Sequence, residues 1–388
     1  MARRAALIVL DGVGCGAAPD AADYGDEGSD TLGNVAREVG GLSLPRLEAL
    51  GLGGTSEIPG LRAVASPRAA WGRMRPRSAG KDSTTGHWEL CGLVLDRAFP
   101  TFPTGFPAPV IEEFARRTGR GVLGNRAASG TAILDDLGAE HRRTGHWIVY
   151  TSADSVFQIA AHEETVPLAE LYHACELARA LLAGPHAVSR VIARPFVGEP
   201  GAWLRTAGRR DWSVPPPGAT LLDRLVEAGV PRVGVGKVDD LFAGRGITSR
   251  HTATNDEAYA LIEEALASME AGLLLANVIE FDQSWGHRND VAGFHRGLQA
   301  LDARVDRMLA PVRPGDLVII TADHGNDPTT PSTDHSREEV PLLVVGPDVR
   351  PVPLGCRATF ADAGQTIAEW LGAAPLAAGR SFLHEVLR

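Results

Sequence analysis

Short apolar runs without polar alternation constrain the fold of this chain more than any other feature. The clearest are "ALIVLDG" at 6–12, "LLLANVIEFD" at 273–282, "DLVIITADHG" at 316–325 and "VPLLVVG" at 340–346. Such runs are typical of strands that are buried on both faces of a parallel sheet. Helices between them would form the right-handed crossovers that parallel strands require. The pattern predicts an α/β fold with a mostly parallel sheet between helices.

Two amphipathic helices are predicted between these strands. The first begins at Thr254, where Glu257 completes a capping-box pattern, and its apolar residues recur at the spacing of one helical face. The second shows the same spacing and ends before Pro314 and Gly315. The apolar positions of the two helices are Ala258, Leu261, Ile262, Ala265, Leu266 and Met269, then Phe294, Leu298, Leu301, Val305 and Met308. Helix and strand thus alternate in this part of the chain, as a parallel sheet requires.

The segment 97–216 has a different character. Helical stretches such as "VIEEFARRTG" stand beside strand-like stretches such as "WIVYTSADSVFQIAAHE". Proline and glycine are frequent at both edges, in "FPTGFPAP" and "VPPPGA", which is typical of connections between domains. We therefore expect a core formed by 1–96 and 217–388, into which a smaller α+β domain at 97–216 is inserted.

Composition excludes several classes of partner. The 388-residue chain has a formal net charge of −10, which would repel nucleic-acid phosphates and anionic membranes. Its apolar runs are shorter than the roughly 18 residues needed to span a bilayer, and Asp11 ends the first of them. Four widely spaced cysteines fit reduced thiols. We expect a cytoplasmic monomer that acts on small molecules, with no nucleic-acid partner and no membrane partner.

Acidic and histidine side chains follow three of the predicted strands. They are Asp11 in "IVLDG", Asp282 and His287 in "IEFDQSWGH", Asp323 and His324 in "ITADHGND", and His335 in "STDHS". Each one alone is more often a turn or cap residue. The carboxyl ends of parallel strands share one edge of a sheet, however, so these groups are expected to meet there although they are distant in sequence.

Together the six groups predict a metal centre. Three carboxylates and three imidazoles crowded at one edge would repel and desolvate one another, whereas two divalent cations would neutralise the acids and bind neutral imidazoles. Mixed oxygen and nitrogen donors suit Mn²⁺ or Zn²⁺ better than Mg²⁺. Two such ions form a clamp for in-line displacement at phosphorus, because they polarise a phosphoryl oxygen and activate a hydroxyl nucleophile.

Three consecutive hydroxyl residues in "GKDSTTGHWE", at 80–89, supply a candidate nucleophile. Such clusters more often form turns and helix caps. A threonine hydroxyl has too high a pKa to attack unless a metal or a base assists it, and the predicted centre would supply metals. If a helix starts at "TGHWELCGL", Thr85 also lies at the positive end of its dipole, which favours a phosphate.

With these stretches in place, the chain resembles the prokaryotic type of phosphopentomutase, a family of the alkaline phosphatase superfamily. The resemblance extends over nearly the whole chain, through "VLDGVG", "GKDSTTGHWE", "YTSADSVFQIAAHE", "ARPFVG", "GKVDDLFAGRGIT", "FDQSWGHR" and "TADHGNDPTTPSTDHSREEVPLL". It implies an alkaline-phosphatase-like core with an inserted cap. It also implies an isomerase that interconverts ribose 1-phosphate and ribose 5-phosphate, and the 2-deoxyribose pair, in nucleoside catabolism and salvage. The implied route passes through a phosphothreonine and a 1,5-bisphosphate.

The same resemblance implies a role for each candidate in the core. Thr85 would be the phosphorylated nucleophile. One metal would be held by Asp11, Asp323, His324 and Thr85, and the other by Asp282, His287 and His335. The implied cofactors are two Mn²⁺ ions, with Mg²⁺, Zn²⁺ or Co²⁺ as substitutes, and a sugar bisphosphate such as glucose 1,6-bisphosphate as activator.

In the cap, the resemblance implies contacts to the pentose phosphate. The implied residues are Ser152, Asp154, Val156, Arg194 and Arg209, with Arg205 and Lys237 as further candidates for phosphate contacts. Without the resemblance, surface arginines of this kind would be interpreted as solvated or ion-paired groups.

Two stretches depart from the family pattern. "GKDST" stands where a threonine and then a methionine are expected before the nucleophile, and "FDQSW" stands where a tyrosine is expected before "GHR". Neither changes a ligand, and the preference for ribose, 2-deoxyribose or a variant pentose stays open.

Two other functions also stay open. A metal-dependent phosphomonoesterase of the same superfamily would use the same site and release phosphate to water, and the arginines of the cap argue against it. A catalytically inactive phosphosugar-binding protein is the other alternative. Retention of Thr85 and of all six ligands argues against it, because binding alone requires no nucleophile.

Overall fold

The computed structural model describes residues 3–152 and 155–387. Its strands are β1 Arg4–Leu10, β2 Ala70–Met74, β3 Val122–Ala127, β4 Trp147–Thr151, β5 Val156–His162, β6 Arg190–Val197, β7 Leu204–Arg205, β8 Arg210–Ser213, β9 Arg232–Val235, β10 Ser249–Arg250, β11 Gly272–Val278, β12 Asp316–Thr321, β13 Val340–Val345 and β14 Pro353–Arg357. Its α-helices are α1 Thr31–Glu38, α2 Pro45–Leu50, α3 Ser83–Leu90, α4 Ala108–Thr118, α5 Gly130–Thr144, α6 Leu168–Leu181, α7 Leu221–Glu227, α8 Val238–Leu241, α9 Asn255–Ser268, α10 Val291–Leu309, α11 Ala361–Leu371 and α12 Leu383–Val386.

The chain divides into two compact units. The first combines Met1–Arg97 with Pro216–Arg388, and the second is Ala98–Pro215. The second unit therefore covers 98–215, where the sequence suggests an inserted segment at 97–216. Both predicted helices of the first unit are present as α9 and α10, and Thr254 caps α9 by accepting a hydrogen bond from the amide of Glu257 at 3.3 Å.

A mostly parallel sheet forms the centre of the first unit. Its strand order is β10-β9-β11-β1-β12-β13-β2-β14, and among the strand pairings that the structure describes in this sheet only the two of β13 are antiparallel. Leu7 of β1 lies opposite Leu275 of β11 on one side and Ile319 of β12 on the other. All three strands are buried along their length, as their unbroken apolar composition predicts. The predicted α/β class is confirmed, and the carboxyl ends of β1, β11 and β12 lie side by side.

A buried arginine lies at the opposite end of β1 and binds neighbouring segments there. Arg4 is 2% exposed, and its Nε donates to Oδ1 of Asp316 at 2.7 Å. The same guanidinium donates to the carbonyl groups of Leu266, Met269 and Pro311. The amino-terminal ends of β1 and β12 are thus tied together far from the acids at the other edge.

The second unit is an α+β structure. Its sheet has the order β3-β4-β5-β6-β7, with β8 also paired to β6, and it mixes parallel and antiparallel neighbours. One apolar cluster includes Phe114 of α4, Trp147 and Phe157, while a second includes Ile133 of α5 and Phe196. The predicted smaller α+β insertion is confirmed in its class. Over 3–152 and 155–387, no helix has both the length and the apolar composition that a membrane span requires.

Candidate metal centre and nucleophile

The strand ends place three acids close together. Asp11 follows β1 directly, Asp323 comes two residues after β12, and Asp282 lies in a π-helical turn, Phe281–Trp285, that follows β11. Gly12 adopts a φ of 79°, and a Cβ added there would lie 3.0 Å from Cβ of Asn326 and 3.3 Å from Cβ of Asp282. Its amide donates to Oδ1 of Asp323 at 3.2 Å. Glycine is required here because the turn is left-handed and brings the three strand ends into contact.

One group of donor atoms surrounds Asp282. The Nε2 atoms of His287 and His335 each lie 3.3 Å from its Oδ1. Asn326 donates its Nδ2 hydrogen to the same oxygen at 2.7 Å. The ligand atoms of Asp282, His287 and His335 all lie within 4.8 Å of one another, as a metal site requires. Single π-helical turns are frequent at functional sites, and this one turns Asp282 toward the two imidazoles.

A second group shares Asp282 with the first. Asp11, Asp282 and His324 place ligand atoms within 4.8 Å of one another, and Nε2 of His324 lies 3.3 Å from Oδ1 of Asp11. Asp323 is adjacent, because its Oδ2 lies 3.5 Å from the same Nε2. The structure thus brings all six predicted ligands to one edge of the sheet.

The three imidazoles are oriented in the same way. In His324 and His287, Nδ1 lies 3.0 Å from O of Gly325 and 2.6 Å from O of Thr333, respectively. The ring of His335 lies between the other two, with centroid distances of 4.3 Å to His324 and 4.7 Å to His287. A hydrogen bond from Nδ1 leaves the Nε2 lone pair free to bind a metal. All three Nε2 atoms face the carboxylates.

The buried carboxylates of the site are stabilised by nearby positive charge. Burial raises the pKa of Asp11, but Lys237, whose Nζ lies 2.9 Å from Oδ2, and His324 together outweigh burial and hold the pKa below its usual range. Burial lowers the pKa of His324, but Asp323, Asp11 and Asp282 together outweigh burial and raise that pKa to about 10. Two divalent cations would supply this charge, and oxygen and imidazole donors suit Mn²⁺ or Zn²⁺. The donor set therefore fits divalent metals.

Two hydroxyl residues of this stretch lie close to the ligands. Oγ of Ser83 lies 3.3 Å from Oδ1 of Asp11 and 3.1 Å from Nε2 of His324. Thr85 lines one cavity together with Asp323 and His324. Its Oγ1 donates to Oδ2 of Asp82 at 2.6 Å, and its amide donates to Oδ1 of Asp82 at 3.1 Å.

The cap of α3 holds Thr85 in place. Asp82 is the N-cap of α3, so the third helical residue, Thr85, gives its amide to the cap side chain. Thr85 thus lies in the first turn of the helix and beside two predicted ligands. The sequence analysis did not identify Ser83 as a residue that contacts the ligands.

The rest of the "TGHWE" stretch holds α3 against the site. Nδ1 of His87 lies 2.9 Å from O of Ser83 and 3.0 Å from Oδ2 of Asp323. A Cβ added at Gly86 would lie 2.1 Å from O of Asp323, so only glycine permits this approach. The indole of Trp88 donates to O of Leu241 at 2.9 Å. The sequence analysis did not identify His87 as a functional residue, although it links the nucleophile helix to a predicted ligand.

The second unit gathers three arginines near one tyrosine. Burial lowers the pKa of Arg194, and the positive charges of Arg209 and Arg205 add to that effect. Nε of Arg194 donates to Oε1 of the buried Gln158 at 3.0 Å. The three arginines also act on the hydroxyl of Tyr150. Burial raises the pKa of Tyr150, and the positive charges of the arginines oppose part of that rise. Repelling cations held together in this way are suited to an anion.

The other predicted substrate contacts are in different surroundings. Arg209 is exposed, and its Nε and Nη2 each lie 2.9 Å from an oxygen of Asp211. Val156 is buried at the start of β5, and Ser152 follows β4 in a half-buried position. Asp154 lies outside the described residues.

Comparison with known proteins places the chain among metal-dependent enzymes. Residues 3–375 match the family model of the Metalloenzyme superfamily. The chain is 56% identical over 390 residues to the phosphopentomutase of Anaeromyxobacter dehalogenans strain 2CP-1, with 100% of each chain covered. It is 54% identical over 386 residues to the phosphopentomutase of Dictyoglomus thermophilum, with 99% of this chain and 98% of the relative covered. It is 53% identical over 390 residues to that of Caldanaerobacter subterraneus, with 100% and 98% covered.

Proposed function

Because the chain belongs to the phosphopentomutase family of the Metalloenzyme superfamily, we propose that it interconverts the 1-phosphate and the 5-phosphate of ribose and of 2-deoxyribose, with Thr85 as phosphoryl acceptor. Identity above 50% over the full length of several phosphopentomutases makes it an enzyme of the isomerase class. The observation that supports the residue assignment is the cavity that Thr85 lines together with the predicted ligands Asp323 and His324.

The proposed cycle has two transfers. The phosphoryl group of phospho-Thr85 passes to the 5-hydroxyl of ribose 1-phosphate, so the bond from phosphorus to Oγ1 breaks, the bond to the sugar oxygen forms, and the hydroxyl proton moves to the released Oγ1. The resulting 1,5-bisphosphate reorients. Oγ1 of Thr85 then attacks phosphorus on the 1-phosphate, ribose 5-phosphate leaves with the proton, and phospho-Thr85 is restored.

The residues of the centre have distinct parts in this proposal. The predicted metal-holding residues are Asp11, Asp282, His287, Asp323, His324 and His335. When bound, two divalent cations would neutralise the transferring phosphoryl group and lower the pKa of the attacking hydroxyl. His87 contacts the carbonyl of Ser83 and the carboxylate of Asp323, which holds the helix of the nucleophile against the ligands. Lys237, close to Asp11, adds positive charge where the phosphate arrives.

The arginines of the second unit complete the proposal. Arg194 and Arg209 bind the phosphate group that is not being transferred, with Ser152, Asp154 and Val156 contacting the pentose. Because the sugar is held at its second phosphate, the bisphosphate is retained, and water is kept from the phosphothreonine. Mn²⁺ as the metal, glucose 1,6-bisphosphate as activator, a cytoplasmic location, a monomeric state and a role in nucleoside salvage belong to the same proposal.

The test compares two hydroxyl deletions on α3. The wild-type enzyme, with Mn²⁺ and glucose 1,6-bisphosphate, should convert ribose 1-phosphate to ribose 5-phosphate with little free phosphate, and mass spectrometry should locate one phosphoryl group on Thr85. Thr85→Val should lose both signals. Ser83→Ala is the matched control, because it removes a neighbouring hydroxyl from the same helix and should keep the phosphoryl group on Thr85.

Each contrary result has a definite meaning. A phosphoryl group on Ser83, with activity retained in Thr85→Val, would assign the nucleophile to Ser83. Accumulation of free phosphate in place of ribose 5-phosphate would identify a phosphomonoesterase.

A further inference from the structure

A short irregular segment, residues 76–80, leads from β2 toward α3 and the proposed nucleophile. It is called the strap here, and it belongs to neither a helix nor a strand. A segment of this kind is fixed in place only if its peptide groups find other partners. The strap finds such partners in buried side chains from distant parts of the chain.

Arg337 holds the carbonyl groups of the strap. Its Nη1 donates to O of Ser78 at 2.6 Å and to O of Gly80 at 2.8 Å, and its Nη2 donates to O of Pro76 at 3.2 Å. Nε and Nη2 also donate to the carboxylate of Asp20, at 3.1 and 2.8 Å. The forked donors of the guanidinium thus bind both the carbonyl groups of the strap and the carboxylate of Asp20.

Glu89 holds the amide groups of the same segment. Its Oε1 accepts from the amide of Arg77 at 2.9 Å, and its Oε2 accepts from the amide of Ser78 at 2.6 Å. Oε1 also accepts from Oγ1 of Thr359 at 2.6 Å. The carboxylate is buried, so each of these bonds replaces water that would otherwise solvate the peptide.

The middle of the strap is held by Tyr24 and Leu95. The Tyr24 hydroxyl donates to O of Ala79 at 2.8 Å, and the guanidinium of Arg337 lies over the Tyr24 ring at 4.7 Å from its centroid. The amide of Ala79 donates to O of Leu95 at 2.8 Å, and the amide of Leu95 donates to Oγ of Ser78 at 3.1 Å. The amides of 77–79 and the carbonyl groups of Pro76, Ser78, Ala79 and Gly80 are therefore bound by protein groups.

Arg337 also belongs to the loop that carries a predicted metal ligand. It lies two residues after His335, and the intervening Ser336 exchanges backbone hydrogen bonds with Gly325, at 2.7 and 3.1 Å. Gly325 follows the ligand His324 directly. The guanidinium therefore joins the ligand-bearing loops to the segment that enters the nucleophile helix.

We propose that Arg337 is a positioning residue for phosphoryl transfer: through the strap, it sets the place of the Thr85 hydroxyl relative to the metal ligands. Arg337, Gly80 of the strap, Thr85 and His324 line one cavity. The inference rests on the proposed function, in which Thr85 accepts the phosphoryl group. Reacting atoms must be held near their productive geometry, and a misplacement of about 1 Å costs on the order of 100-fold in rate. Loss of the hydrogen bonds from Arg337 to the strap should therefore lower kcat and leave substrate binding and metal content unchanged.

The fold contains a matched control. Arg4, like Arg337, is 2% exposed, pairs with one aspartate and donates to three backbone carbonyl groups. It lies at the amino-terminal end of β1, whereas Asp11 lies at the carboxyl-terminal end. Replacement of either arginine by lysine removes the same fork of donors, but only Arg337 is linked to the strap.

The experiment measures steady-state kinetics, Mn²⁺ content, thermal unfolding and the rate at which glucose 1,6-bisphosphate phosphorylates Thr85. Arg337→Lys should lower kcat and the phosphorylation rate by about 100-fold, with KM and Mn²⁺ content close to wild type. Arg4→Lys should lower the unfolding temperature and leave kcat within about threefold of wild type. If Arg337→Lys does not fold, Tyr24→Phe, which removes the single bond to Ala79, should lower kcat about three- to tenfold.

Three results would overturn the inference. A wild-type kcat in Arg337→Lys, or a change in KM alone, refutes the positioning role while the proposed function stands. Equal losses of kcat in Arg337→Lys and Arg4→Lys would mean that Arg337 contributes only to general stability. A wild-type enzyme that the bisphosphate never phosphorylates at Thr85 refutes the proposed function, and the inference with it.

Discussion

Substitution of Gly86 by alanine tests how closely α3 must approach the metal ligands. An added Cβ would lie 2.1 Å from the backbone O of Asp323, whereas ordinary contacts begin at 3.4 Å. The added Cβ is fixed to the helix backbone and the contacted oxygen belongs to the backbone of Asp323, so no flexible side chain can give way. The helix must therefore move away from Asp323 by about 1.3 Å, the difference between these distances. A rigid shift of that size along the Ser83–His324 direction would lengthen the separation of Oγ and Nε2 from 3.1 Å to about 4.4 Å.

The expected consequence is a loss of rate larger than the loss of stability. A displacement of more than 1 Å at the nucleophile should lower kcat on the order of 100-fold. Overpacking should cost about 1–3 kcal/mol of the free energy of unfolding, although alanine by itself favours a helix by about 1 kcal/mol over glycine. Steady-state kinetics and urea unfolding of Gly86→Ala would give both quantities.

A control glycine separates this effect from a general one. Gly218 belongs to the same unit, and a Cβ added there would meet only Cδ1 of Leu93, at 2.9 Å, which is the end of a flexible side chain. Gly218→Ala should keep kcat within about twofold of wild type, since a surface-type change of this kind has small effects. A Gly86→Ala enzyme with wild-type kcat and unfolding free energy would refute the argument that α3 and Asp323 are in obligatory contact.

Two further predictions concern the metals and the second unit. Chelation should abolish turnover and added Mn²⁺ should restore it, with Asp323→Ala among the most damaging single changes; normal metal content and rate in that variant would place the metals elsewhere. Arg209→Ala should lower kcat/KM about 10- to 100-fold, the equivalent of losing one charge-assisted hydrogen bond of about 1.5–3 kcal/mol. The ratio of phosphate release to isomerisation should rise in the same variant, and unchanged kinetics with unchanged release would mean that Arg209 only pairs with Asp211.

The sequence by itself determined the elements and the edge at which the chemistry is found. The runs that end in Asp11 and precede Asp323 are apolar without alternation, and this pattern is a local consequence of burial on both faces of a strand. Once the strands are parallel, their carboxyl ends must share an edge, so the convergence of Asp11, Asp282 and His324 follows from topology alone. Pattern and topology are sufficient because neither depends on the direction of any single side chain.

Only the tertiary structure decided that Ser83 as well as Thr85 of "GKDSTTGHWE" lies near the ligands. The hydroxyl residues are consecutive, and their directions depend on the rotation of α3 about its axis. That rotation is set by the bond of the Asp82 cap to Thr85 and by contacts of Gly86 and His87 with Asp323, a residue more than 200 positions away. Arg337 and the strap were invisible in the sequence for the same reason. Their contacts are long-range hydrogen bonds to backbone groups, which leave no periodic pattern in the side chains of either partner.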